Sequence, residues 1–152
     1  MGRGGWVVFV DCRNAHEAAI GRFQNAVVPK TDTTHDFVGE LNSGKYDELK
    51  ERPIVTYCTG GVRCEVLSVL MKNRGFKEVY QIDGGIAKYG ESYKDDGLWE
   101  GSMRVFEDRI TANFSEQTKP MGKGVHCAGK TGNYEKHGAV SGKNLGVICN
   151  SC

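Results

Sequence analysis

The chain has 152 residues, long enough for a domain with a sizeable core. Charged residues make up 26% and the formal net charge is +1, so no global field announces a nucleic acid or an anionic membrane. No apolar run approaches the ~18 residues of a membrane span and Met1 to Gly5 lack the apolar core of a signal peptide, so a soluble, cytoplasmic protein with no membrane partner is expected.

Trp6-Val7-Val8-Phe9-Val10 is a continuous apolar run rich in β-branched and aromatic residues. It predicts a buried strand of a parallel sheet. Asp11-Cys12-Arg13-Asn14 ends that strand. A short helix over 14–20 follows, with Asn14 at its N-cap and Glu17 three residues on. Ala26-Val27-Val28 predicts a second short strand, stopped by Pro29. Thr33 to Asp36 supplies capping residues for a helix that carries Phe37, Val38 and Leu41 toward Gly44. Ile54-Val55-Thr56-Tyr57 is the central strand. From Cys64 to Asn73, the apolar residues Val66, Leu67, Val69, Leu70 and Met71 predict a largely buried helix, and Gly75 predicts its stop. Val79 to Ile82 is a further strand, ending in Asp83-Gly84-Gly85, and Ile86 to Tyr89 opens another short helix.

Strand and helix patterns alternate, which predicts an α/β fold with a mainly parallel central sheet flanked by helices. Ligands of such sheets bind beyond the C-terminal strand ends. Asp11, Cys58 and Asp83 fall at such ends. After Asn113 the composition turns polar and rich in Gly and Lys. The expected organisation is a domain over 1–112 and an irregular C-terminal extension over 113–152, too polar to bury a core of its own.

The central strand delivers Cys58 into Thr59-Gly60-Gly61-Val62-Arg63-Cys64. A thiol at the start of a helix faces unpaired N–H groups and the positive end of the dipole, which favours its thiolate. Loop N–H groups from Thr59 to Cys64 can nest an anion or an outer sulfur, with Gly60 and Gly61 permitting the turn. Arg63 adds a fixed positive charge. Four residues separate Cys58 from Arg63, one fewer than in a tyrosine-phosphatase-type loop, which suits sulfur better than phosphate. Cys64 has two readings: a thiol packed against the helix interior, or a resolving thiol for Cys58. Cys12 is expected to pack against the sheet. Asp11, Arg13 and Asp83 are expected to brace the loops.

The Cys58–Arg63 loop resembles the active-site loop of the rhodanese superfamily, in which a cysteine directly follows a buried strand. Asp11-Cys12-Arg13-Asn14 resembles the family's Asp-x-Arg element. Gly21-Arg22-Phe23-Gln24-Asn25-Ala26 is similar to its Gly-His-Ile-x-Gly-Ala element, and Asp83-Gly84-Gly85 to its late Gly-Gly element. Within the superfamily, Tyr57-Cys58-Thr59-Gly60-Gly61-Val62-Arg63-Cys64-Glu65 looks like the TrhO-type tRNA uridine hydroxylases, as do Trp99-Glu100-Gly101 and Val105 to Arg109. That resemblance implies oxygen-dependent formation of 5-hydroxyuridine at tRNA uridine 34, with Cys58 and Arg63 as catalytic residues and tRNA as partner. It also implies an N-terminal domain, absent here, so such a hydroxylase or the rhodanese module of one is expected. Two other readings stand beside it. One is a thiosulfate sulfurtransferase or sulfur carrier that takes sulfur from a small donor as a Cys58 persulfide. The other is a non-catalytic interaction domain.

Cys127, Cys149 and Cys152 gather near the C-terminus, the last two as a Cys-x-x-Cys pair. With His137 preferred over His126 as fourth ligand, they make an ordinary tetrahedral zinc set. One Zn2+ ion would fold a tail too polar to fold alone. A metal-free remnant is the alternative.

Overall fold

The computed structural model describes residues 6–105, 111–123 and 128–131, and the backbone of 134–136 and 145–147. Three parallel strands form its centre: β1 (Val8–Asp11), β2 (Ile54–Tyr57) and β3 (Val79–Gln81), in the order β1-β2-β3. Val8 to Asp11 pair in register with Ile54 to Tyr57, and Ile54 to Thr56 with Val79 to Gln81. The run predicted from Trp6 starts its strand at Val8, and Trp6 itself is exposed.

Helix α1 (Ala15–Ala18) follows β1 and is capped as its sequence predicts: Glu17 Oε2 accepts the Asn14 N–H at 3.0 Å. Helix α2 (Thr34–Asn42) has a reciprocal cap between Thr33 and Asp36. Helix α3 (Val62–Asn73) follows the cysteine loop, and Gly75 at φ +91° closes its end. Helix α4 (Gly85–Tyr93) follows β3 and runs beyond the predicted Tyr89.

The predicted strand at Ala26–Val28 reduces to one parallel bridge, Val10 to Val27, held by Asp11 N–H to Val27 O and Val27 N–H to Phe9 O. The neighbouring Gly21–Phe23 segment is instead a strand that the sequence did not announce, paired antiparallel with Trp99–Gly101. A turn joins the two stretches, and Asn25 sits in it at φ +56°, where the family element carries glycine. Asparagine tolerates the left-handed region better than other side chains.

Alternation along β1 divides the core. Val8, Val10 and Cys12 enter one cluster with Phe37, Leu41, Leu67 and Met71, while Phe9 packs against the other, built on Phe23, Tyr57, Ile86 and Trp99. Phe23 is fully buried, and its ring lies 4.7–5.3 Å from those of Phe9, Tyr57, Tyr89 and Trp99.

Helix α3 corrects one sequence expectation. Cys64, Leu67, Ser68 and Met71 form its buried stripe, spaced for one helical face. Val62, Val66 and Val69 lie 55–74% exposed. The helix covers the sheet with a single face, so apolar content alone overstated its burial.

The start of the polar extension is anchored. Phe114 packs at 6.1 Å on Trp99 and fills the space beside Gly90. Asp95 accepts hydrogen bonds from the hydroxyls of Ser115 and Thr118. Among the described residues no helix is long and apolar enough to cross a membrane.

Candidate active site

Cys58 stands one residue past β2 and is 2% exposed. The chain then turns through Gly61, whose φ of +95° lies in the left-handed region, and enters α3 at Val62. Gly60 needs no such freedom, since a Cβ there would meet nothing within 4 Å. The Gly61 N–H donates to Cys58 Sγ at 3.1 Å. From the far side, α4 grips the loop: the N–H groups of Ile86 and Ala87 donate to the carbonyls of Cys58 and Thr59 at 3.0 and 3.1 Å. That grip explains the second glycine of the late Gly-Gly element. Gly85 sits at φ +64°, and a Cβ on it would fall 2.5 Å from Cys58 O.

Arg63 faces Glu17. Its Nη1 and Nη2 donate to Glu17 Oε2 and Oε1 at 2.7 and 3.0 Å, and Nη2 reaches Thr59 Oγ1 at 3.4 Å. Burial pushes the Glu17 carboxyl up, but the Arg63 hydrogen bonds and charge outweigh it and hold the group below its usual range. Burial likewise opposes the Arg63 charge, and Glu17 more than restores it, with Cys58 adding to the effect. The arginine is thus kept charged beside the thiol. Next to Glu17, burial and then Arg104 hold the His16 imidazole below its ordinary 6.5.

Sequence reasoning gave Glu17 only a helix cap and missed this second role. The two partners lie 46 residues apart, and no local pattern links them. The one available signal was chemical: an arginine drawn toward a buried loop needs an acid, and Glu17 flanks the end of β1 beside that loop.

Asp11 and Arg13 face each other instead of the thiol. Both side chains are wholly buried. Arg13 Nε and Nη2 donate to Asp11 Oδ1 and Oδ2 at 2.9 and 2.7 Å, and Nη2 also donates to Gly21 O at 2.7 Å. The guanidinium lies 5.2 Å from the Trp99 ring centroid. This pair fixes the end of β1 to the Gly21–Phe23 strand. Asp83 points to solvent, its side chain 88% exposed, and pairs with Lys88 on α4. Like Asp11 and Arg13, it does not reach the thiol.

The thiol itself departs from the lowered pKa expected at a helix start. The neighbouring Cys64 thiol is the largest influence and burial the next, and together they push Cys58 up. The N–H groups of Cys64 and Gly61 pull it down without cancelling that rise. The helix start is present, but a second thiol shares it.

Cys127, His137, Cys149 and Cys152 lie outside the described residues, as does His126. Among the described residues, no group of three or more His, Cys, Asp or Glu is placed to hold a metal ion.

A buried cysteine between a parallel strand and a helix, in a six-residue loop closed by arginine, now has a counterpart among known proteins. Residues 1–92 match the sequence profile of the rhodanese-like domain. The chain belongs to the rhodanese-like family. The rhodanese-like domain of an Anabaena protein, solved in solution, superposes with a TM-score of 0.50 at 19% identity, covering 74% of this chain and 76% of that one. A crystal structure of an Anabaena protein gives 0.50 at 22% identity over 62% and 67%. These likenesses speak for the fold alone. In sequence, the chain is 57% identical over 150 residues to a protein of an Arthrobacter species named tRNA uridine(34) hydroxylase, covering 99% of this chain and 50% of the relative. A protein of the same name from Rhodococcus opacus is 58% identical over 151 residues, with 99% and 53% covered. The chain spans about half the length of the curated relatives it matches.

Proposed function

We propose that this chain is the rhodanese-like part of a tRNA uridine(34) hydroxylase, with Cys58 as its essential thiol and tRNA as its substrate. The observation that carries the reading is the identity of 57–58% to relatives of that name over 150 and 151 residues. The geometry supports it. Cys58 provides the nucleophilic sulfur, and the Gly61 N–H donates to it at 3.1 Å. Arg63, held charged by Glu17, supplies positive charge for a thiolate or an anionic substrate group. Mass spectrometry of tRNA tests this in a strain lacking the gene, complemented with the wild-type gene or with Cys58→Ala. Wild type restores 5-hydroxyuridine and the variant does not. Equal levels in all strains would overturn the reading.

A second reading draws on the same loop. With four residues between Cys58 and Arg63, its size suits an outer sulfur. In a sulfurtransferase the Cys58 thiolate would attack the outer sulfur of thiosulfate, forming a persulfide and releasing sulfite. Intact-mass measurement after thiosulfate treatment checks this: wild type gains one sulfur atom and Cys58→Ser gains none.

A further inference from the structure

Cys12 is a buried thiol to which the reading above gives no task. It extends β1 by one residue, and its N–H donates to Tyr57 O at 2.9 Å. That continues the parallel register, in which Asp11 faces Tyr57, and places Cys12 beside Cys58 at the end of the sheet. Both thiols enter the same core cluster as Cys64. All three cysteines are free, and none is more than 2% exposed. Cys64, from the start of α3, shares that cluster, and its thiol is an electrostatic neighbour of both Cys58 and Cys12.

We propose that Cys64 and Cys12 form a relay that lifts oxidation off Cys58 and stores it as a Cys12–Cys64 disulfide. The oxidant is a peroxide. In the first step the Cys58 thiolate attacks hydrogen peroxide, giving a Cys58 sulfenic acid and hydroxide. The Cys64 thiol then condenses with it, forming the Cys58–Cys64 disulfide and releasing water. In the third step the hydroxide from the first step takes the Cys12 proton and the resulting Cys12 thiolate attacks the Cys64 sulfur; the Cys58–Cys64 bond breaks, and the electron pair leaves on Cys58. Two electrons have moved from Cys12 and Cys64 to the peroxide, and Cys58 is a thiolate again.

The direction of the last step follows from the surroundings. Exchange favours the sulfur best able to leave as a thiolate. Cys58 receives the Gly61 N–H at 3.1 Å and faces the charge of Arg63, whereas the Cys12 thiol contacts the Val10 carbonyl, an acceptor that offers a thiolate nothing. In the Cys58–Cys64 disulfide Cys64 is no longer a thiol, so the largest influence that raises Cys58 in the reduced chain is gone, and Cys58 is the leaving group.

The relay rests on Cys58 being the reactive thiol, as proposed above. The test treats the full chain with one equivalent of hydrogen peroxide, blocks free thiols with iodoacetamide, and maps peptides without reduction. The expected product carries a Cys12–Cys64 disulfide and an alkylated Cys58. In Cys12→Ala the bond stalls at Cys58–Cys64 and alkylation of Cys58 is lost until a dithiol reductant restores it. A wild-type map ending at Cys58–Cys64, at a Cys58 sulfinic acid with Cys12 and Cys64 alkylated, or at three alkylated thiols would overturn the relay. The wild-type map decides even if the variant does not fold. It reads thiols only, so the relay can fail while tRNA hydroxylation stands, and hydroxylation can fail while the relay stands.

Discussion

The Glu17 carboxylate takes both terminal nitrogens of Arg63, at 2.7 and 3.0 Å, from a position only 1% exposed. A residue that caps a one-turn helix thereby sets the charge at the cysteine loop. Replacing Glu17 with Gln keeps the shape and removes the charge. We expect a stability loss of about 1.5–3 kcal/mol, the range for charge-assisted hydrogen bonds. Under the proposed function, a displaced Arg63 should also lower the rate of 5-hydroxyuridine formation by roughly 10- to 100-fold, the scale of a misplaced reacting group. Chemical denaturation and tRNA mass spectrometry measure the two effects separately. Arg63→Lys keeps the charge but loses the two-pronged contact, and a variant with wild-type rate would deny the arginine any special geometry.

The same pair predicts a pH dependence. Glu17 is held below its ordinary 4.5 in the folded chain, so the unfolded chain binds its proton more readily. Stability therefore rises with pH across that interval. The contribution is complete above 4.5 and is lost as pH falls through the folded-state value. Urea unfolding of wild type and Glu17→Gln should differ most near neutrality and converge in acid. A gap that widens below 4.5 would reverse the assigned sign.

Gly85 tests the grip of α4 on the loop. An alanine there would carry φ +64° and place its Cβ 2.5, 2.7 and 2.8 Å from Cys58 O, Thr59 O and Gly61 N. The left-handed strain alone costs about 1–2 kcal/mol, and the backbone clash adds to it. We expect Gly85→Ala to lower the melting temperature and, under the proposed function, to abolish hydroxylation. Gly60→Ala, with open space at the added carbon, should leave the melting temperature nearly unchanged.

Cys64 sets the acidity of its neighbour. Its thiol is the largest influence pushing Cys58 above the ordinary 9.0. Alkylation of Cys58 should therefore keep rising with pH beyond that value in wild type. In Cys64→Ala the rise should move to lower pH, because the Gly61 N–H remains and the competing thiol is gone. Rate-against-pH profiles with iodoacetamide read this directly, and superimposed profiles would show that Cys64 has no hold on Cys58.

Much of this protein follows from its sequence alone. Ile54–Tyr57 was legible as the central strand, Thr33 and Asp36 as a helix cap, and Gly75 as a helix stop, because each signal is local. The cysteine loop was legible too, since its chemistry lies within consecutive residues. Tertiary structure decided the rest. The Gly21–Phe23 strand exists because Trp99–Gly101 comes alongside it, and no periodicity over three residues predicts that. Helix α3 exposes three valines because only one of its faces meets the sheet. Glu17 reaches Arg63 across 46 residues, and Cys12 comes beside Cys58 because parallel strands bring their ends together. Local propensity and spacing act over a few residues and place the loop cysteine. The partners that set its charge and acidity come from distant segments, and only the packed chain brings them into contact.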